Sequence, residues 1–198
     1  MIGIIDYKLN NLRSVQKAFE KVGASAFISS DAKELSLADK LVLPGVGAFG
    51  QAMKNIKTLG FDDLIHSGVK AGKPLIGICL GMQLLFTRSS ENGMHDGLNL
   101  IVGDVQLFPS TVKVPHIGWN QMEICQSSRI LASVVDRSFV YFVHSYYASP
   151  KEPVTLTTTE YGFHFTSVVQ KDLIFGIQFH PEKSQTAGLQ MLKNFSKL

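Results

Sequence analysis

Pro74-Leu75-Ile76-Gly77-Ile78-Cys79-Leu80-Gly81-Met82-Gln83 is a short apolar run that ends on a cysteine with a glycine two residues to either side. The run reads as a buried strand, and the helical pattern from Met82 to about Arg88 makes it a strand-to-helix junction. A junction sharp enough to lift a side chain out of a sheet leaves no room for a Cβ at the flanking positions, where Gly77 and Gly81 stand. At the first turn of the helix, Cys79 would meet unpaired amide N–H groups and the positive helix end, and both favour a thiolate. The competing reading is a free cysteine buried in a central strand.

Working outward, strand patterns at Met1 to Asp6 and Lys40 to Leu43 alternate with helical ones at Leu12 to Val22, Gln51 to Leu59 and Phe61 to Ala71. That alternation is how a parallel sheet covered by helices is written. From about Val102 the chain becomes rich in strand segments: Val105 to Phe108, Thr111 to Val114, Asn120 to Ile124, Val140 to His144, Val154 to Thr159, Thr166 to Val169 and Ile174 to Phe179. A helix from about Thr186 to Leu198 closes it. The expected fold is therefore α/β, with an open, mixed, mostly parallel central sheet flanked by helices and additional antiparallel β segments in the C-terminal half. At 198 residues one domain over 1–198 is expected.

Composition excludes several classes. Hydrophobic residues at 45 % and charged residues at 18 %, with no leader pattern and no membrane-length apolar run, fit a cytoplasmic protein that does not enter a membrane. Two cysteines, Cys79 and Cys125, are too few for a disulfide framework. The net charge of +3 comes without a basic run, so no nucleic-acid partner is expected. The six histidines lack ligand spacing, and neither a metal nor another cofactor is called for.

A second chemical signal is Gly176-Ile177-Gln178-Phe179-His180-Pro181-Glu182, an apolar strand that runs out into a histidine and a glutamate. Period-two spacing puts His180 and Glu182 on one side of an extended chain, where the carboxylate can hold the ring. Pro181 keeps the segment at a strand end, where active-site residues of open α/β sheets collect. A thiol, an imidazole and an orienting carboxylate make an activated nucleophile. Alone, the same residues would also fit a surface turn.

A third signal, Pro44-Gly45-Val46-Gly47-Ala48-Phe49-Gly50, matches the dinucleotide fingerprint G-x-G-x-x-G. It follows the second strand pattern, and Asp62 and Asp63 fall before a helix instead of at the end of the next strand, which argues against that use. The alternative is a loop that turns backbone N–H groups toward a developing negative charge opposite Cys79.

Together, Gly77-Ile-Cys79-Leu-Gly81-Met-Gln83, the Pro44-Gly-Val-Gly47 loop and Phe179-His180-Pro181-Glu182 resemble a class I glutamine amidotransferase, with a flavodoxin-like core, over nearly the whole chain. The resemblance implies hydrolysis of L-glutamine by a Cys79, His180 and Glu182 triad through a cysteine thioester. It also implies that Gly45, Val46, Gly47, Leu80, Gln83, Glu91, Ser145 and Tyr146 surround the glutamine or its oxyanion. Asp6-Tyr7 with Asn11-Leu12-Arg13-Ser14, Val114 to Asn120 and Tyr141 to Tyr146 are similar to one branch of the family. Its members are glutaminase subunits in histidine biosynthesis that form a heterodimer with a cyclase subunit of (β/α)8-barrel fold. Asn11, Trp119, Tyr141 and Lys183 are then the expected interface residues. The family's Asp-Tyr-Gly-x-Gly-Asn turn is here Asp6-Tyr7-Lys8-Leu9-Asn10-Asn11. That departure keeps open a paralogous glutaminase feeding a sugar amidotransferase in surface-polysaccharide synthesis.

Overall fold

In the computed structural model, which describes residues 1–8 and 12–198, the continuous apolar runs become strands buried on both faces. β1 (Ile2–Ile5), β2 (Ala26–Ser29), β3 (Lys40–Gly45) and β4 (Leu75–Cys79) pair in parallel in the order β2-β1-β3-β4. They alternate with α1 (Leu12–Lys21), α2 (Ala32–Ser36), α3 (Phe49–Thr58) and α4 (Phe61–Lys70), and α5 (Leu80–Leu84) begins where β4 stops.

The later strands are β5 (Phe86–Ser89), β6 (His95–Asp96), β7 (Ile101–Leu107), β8 (His116–Gln121), β9 (Glu123–Ile124), β10 (Phe139–His144), β11 (Tyr146–Pro150), β12 (Thr155–Glu160), β13 (His164–Lys171) and β14 (Ile174–Ile177), followed by α6 (Gln185–Ser196). β14 lies parallel to β4, and β13, β12 and β9 extend the same sheet antiparallel, giving eight strands. β10 with β8, and β11-β7-β5-β6, form two smaller sheets. Outside the main sheet the described residues thus supply the additional β segments expected of the C-terminal half.

Strand alternation divides the core. Leu41, Leu43 and Leu75 pack with Phe49, Ile56, Phe61 and Ile65 of α3 and α4, whereas Val42, Ile76 and Ile78 pack with Val15 and Phe19 of α1 and Leu192 and Phe195 of α6. Each such side chain, fully withdrawn from water, contributes about 1.5–3 kcal/mol before ordering entropy is subtracted. These two layers fix the carboxyl ends of β3, β4 and β14 side by side, with Gly45 opposite Cys79 and Ile177 opposite Ile78.

Several local expectations give way. The helix after Cys79 stops at Leu84, and Phe86–Ser89 is a strand, because its backbone pairs with β6 and β7. Thr111 to Val114 forms turns, and the strand starts at His116, where pairing with β10 begins. Met122 interrupts the segment from Asn120 to Ile124. The glycine loop follows the third strand, since β2 precedes it. β2 and α2 carry little apolar periodicity of their own; α2 starts because Asp31 accepts from Lys33 N at 2.7 Å.

Candidate active site

Cys79 ends β4 with φ 55° and ψ −113°, a conformation rarely adopted by a non-glycine residue. Its neighbours make that turn possible. A Cβ on Gly77 would lie 2.4 Å from Gly81 O, and one on Gly81 would lie 1.7 Å from Leu43 O. The glycines are therefore demanded by backbone-to-backbone contact, as the spacing predicts. Cys79 is 6 % exposed, and that small exposure opens on a cavity of about 330 Å³.

Cys79, Leu80, Gln83, Val46, Gly47, Glu91, Ser145, Tyr146 and His180 line this cavity together. Gly45 lies under the loop instead of on the cavity wall: its Cβ would meet Tyr7 Oη at 2.3 Å. Tyr7 is the reason. Its buried hydroxyl donates to Pro44 O at 2.6 Å, and Asn55 Nδ2 donates to Tyr7 O at 2.9 Å, so the start of the glycine loop is held from beneath. Burial, then the Cys79 sulfur, pushes the Tyr7 hydroxyl above the usual phenol range, so it remains a donor. Glu91 closes the other end of the loop by accepting from Phe49 N at 2.7 Å, at the N-terminus of α3.

Across the cavity, His180 Nδ1 is 2.9 Å from Glu182 Oε1, and both side chains are almost wholly buried. The two meet on a 3₁₀ turn over Pro181–Lys183, not on the extended chain that period-two spacing implies. Pro181 starts that turn, and its fixed φ suits the position. His180 N donates to Tyr141 O at 2.9 Å and Ser184 Oγ donates to His180 O at 2.7 Å, so the backbone is tied on both sides. Nε2 has no hydrogen-bond partner among the described residues, and the Cys79 sulfur acts on this ring. Burial pulls the imidazole down, but Cys79 and Glu182 outweigh it and push it up to about 10. The Cys79 sulfur and the Glu182 carboxylate thus favour the charged form of the His180 ring.

Pro115, Val143 and His144 also line the cavity. His144 is bonded to His116 (Nδ1 of His116 to Nε2 of His144, 3.0 Å) and, through its own Nδ1, to Tyr146 O at 2.8 Å. A carbonyl only accepts, so His144 carries its proton on Nδ1, and a neutral ring then accepts on Nε2. Burial depresses both rings, His116 to about 4 and His144 to about 3. Gln83 spends both Nε2 hydrogens inside the protein, on Tyr146 O at 2.9 Å and Gln178 Oε1 at 3.0 Å. It can therefore offer a ligand only its oxygen.

The expected interface residues that are described lie together, and Tyr141 O accepts from His180 N at 2.9 Å. Trp119 and Tyr141 make an edge-to-face contact with centroids 5.9 Å apart, and Lys183 Nζ lies 5.6 Å from the Tyr141 ring centroid. Trp119 is 47 % exposed. Asn11 lies outside the described residues. Among the described residues no group of three or more His, Cys, Asp or Glu has the geometry to hold a metal ion, and no helix is long and apolar enough to cross a membrane.

The Glutamine amidotransferase class-I family model matches residues 4–198. The chain is a class I glutamine amidotransferase. It is 51 % identical over 196 residues to the Aquifex aeolicus protein named imidazole glycerol phosphate synthase subunit HisH, covering 98 % of this chain and 95 % of that one. It is 48 % identical over full length to the Campylobacter jejuni protein named imidazole glycerol phosphate synthase subunit HisH 1, and 48 % identical over the whole of both chains to the Chlorobaculum tepidum protein of the HisH name. A solved glutamine amidotransferase superposes with TM-score 0.79 at 16 % identity, covering 100 % of this chain and 99 % of that chain. A chain in the structure of PurLQS from Thermotoga maritima gives 0.77 at 16 % identity, covering 98 % and 96 %. At that identity the likeness is one of fold, and the amidotransferase fold is the α/β architecture described above.

Proposed function

We propose that this chain is the glutaminase subunit of an imidazole glycerol phosphate synthase in histidine biosynthesis, acting as one glutamine amidotransferase domain over residues 1–198. It hydrolyses glutamine to glutamate and ammonia and passes the ammonia to a cyclase subunit of (β/α)8-barrel fold, with which it forms a heterodimer in the cytoplasm. Relatives 48–51 % identical over 98–100 % of the chain support the pathway. The chemistry rests on one observation: Cys79 and His180 line the same cavity, with Glu182 behind the imidazole.

The Cys79 thiolate attacks the side-chain amide carbon of glutamine. Backbone N–H groups of Leu80 and of the loop residues Val46 and Gly47 meet the resulting oxyanion, each donor contributing about 3 kcal/mol. His180 gives its proton to the departing nitrogen, ammonia leaves, and a thioester remains. The imidazole then takes a proton from water, which attacks the thioester and releases glutamate. Glu182 keeps the ring in the orientation both steps need. Gln83 and Glu91 accept from the ligand's N–H groups, and Ser145 and Tyr146 border it with their backbones.

Trp119, Tyr141 and Lys183 form the docking face for the cyclase. Tyr141 lies two residues from Val143, which reaches the cavity, so the partner covers the mouth from which ammonia leaves. Lys8 adopts φ 71°. The backbone at position 8 therefore takes the left-handed path that suits a glycine, and the departure there changes charge, not path. The sugar-amidotransferase alternative gains no support from that position.

Replacing Cys79 by alanine is expected to reduce glutamine-dependent turnover by about 10³-fold or more, while the assembled complex still uses added ammonium. An unchanged glutaminase rate overturns the reading. The wild-type rate is expected to be low for the isolated chain and to rise with the cyclase and its nucleotide; equal rates contradict the pairing.

A further inference from the structure

The mechanism leaves one buried polar side chain beside the nucleophile without a role. Gln178 stands at the position after β14 and is fully buried, two residues before His180, so both side chains leave the strand on the same side while Phe179 between them enters the core. Its Nε2 approaches Cys79 Sγ at 3.9 Å.

The direction of that contact follows from a chain of hydrogen bonds with one fixed end. Tyr146 O can only accept, so Gln83 must turn its Nε2 toward it. The same Nε2 then donates to Gln178, which obliges Gln178 to present Oε1 to Gln83. The remaining half of the Gln178 carboxamide, its NH₂, is left facing the sulfur. A neutral donor fixed on a largely buried sulfur favours the anion over the thiol.

We infer that Gln178 is a positioning residue for the nucleophile: held in one orientation by Gln83 and Tyr146 O, its amide donates to Cys79 Sγ and steadies the thiolate. This deepens the glutaminase reading and rests on it. The other groups acting on the sulfur are the His180 imidazole, from the turn after β14, and the Tyr7 hydroxyl, from the turn after β1, with Glu182 behind His180. Gln178 differs from His180 in having no charge to lose, so its contribution persists across the pH range in which His180 changes state.

The test uses two variants. Gln178→Met keeps the volume and removes both ends of the amide. Gln178→Glu keeps the acceptor for Gln83 and replaces the donor with an anionic oxygen when ionised. In a Cys125→Ser background, the rate of Cys79 alkylation by iodoacetamide, in which the thiolate sulfur displaces iodide, is followed against pH. Thermal unfolding monitors folding. Both variants are expected to move the alkylation midpoint upward by about one pH unit, the size of one lost hydrogen bond to a charged group. In the complex, kcat for glutamine hydrolysis is expected to fall about tenfold in both, and Gln178→Glu, with Gln83 still anchored, to keep KM within about twofold.

Folded variants whose alkylation profiles superpose on that of the parent overturn the inference, as does a change confined to KM. Loss of the folded state in both variants also overturns it, by making Gln178 a packing residue. Failure of the parent complex to hydrolyse glutamine would instead sink the glutaminase reading, because the alkylation profile needs neither glutamine nor partner.

Discussion

The two walls of the cavity hold their reactive groups by different means. On the wall from β3 and β4, backbone contact does the holding: Gly77 and Gly81 let three backbone segments touch, and Cys79 is left with no other direction to point. On the wall from β10, β11 and the turn after β14, side-chain hydrogen bonds do the holding, with Glu182 on His180, Ser184 on its carbonyl, and the His116–His144 pair on Tyr146. Steric constraint does not titrate. Hydrogen bonds through imidazoles do, so the turn at Cys79 is expected to be insensitive to pH and the second wall to respond to it.

The harshest way to break this contrast is Gly81→Ala. With the new methyl 1.7 Å from Leu43 O, backbone must move, and stability is expected to drop by more than about 3 kcal/mol at every pH. Urea denaturation measures it; a loss below about 1 kcal/mol would mean the elbow is not sterically held.

Glu182→Gln addresses the opposite wall. Glutaminase turnover in the complex is expected to fall about 10²-fold or more, the scale of a misoriented acid–base group. Its effect on stability has a predictable sign. His180 is raised to about 10, above its ordinary 6.5, so its pairing contributes fully below about pH 6.5 and is lost as pH rises through about 10. The stability difference between parent and variant should therefore be largest at neutral and lower pH and close by about pH 10. A difference constant with pH would assign Glu182 a packing role.

His116→Gln sharpens the contrast with a smaller effect. His116 and His144 are depressed to about 4 and about 3, so the unfolded chain takes up these protons first. Their contribution is complete above about pH 6.5 and is lost as pH falls through 4 toward 3. A glutamine that still donates to His144 should flatten the stability profile between pH 6.5 and 4, read from urea midpoints. An unaltered slope would show that the pair does not carry the acid sensitivity.

The smallest expected change is from Lys8→Gly. Releasing a non-glycine residue from φ 71° gains about 1–2 kcal/mol, which glycine's greater unfolded entropy offsets by about 0.5–1, leaving a net gain near 1 kcal/mol or below. A drop in melting temperature would show that the lysine side chain contributes contacts worth more than the strain.

What was legible in the sequence was whatever had to be recorded locally. Gly77 and Gly81 stand within two residues of the cysteine they expose, and His180 and Glu182 within two of each other. The spacing therefore carried the His180–Glu182 contact, even though a 3₁₀ turn and not an extended chain brings the carboxylate to the ring. Phe86 to Arg88 reads as helix because its pattern continues the helical period of Met82 to Leu85, and pairing with β6 and β7 makes it a strand. The contacts of Tyr7 with Pro44 and of Gln178 with Cys79 left no signal, being made across separations of 37 and 99 residues.

From the amino-acid order alone came the α/β class, the sharp turn at Cys79, the neighbouring His180 and Glu182 and the glycine loop, since each follows from short-range sterics and periodicity. Which oxygen faces which hydrogen in the cavity was decided by tertiary structure. Orientation there depends on buried donors and acceptors from distant strands finding each other once water is excluded, and an orphaned polar atom costs more than any local preference can supply.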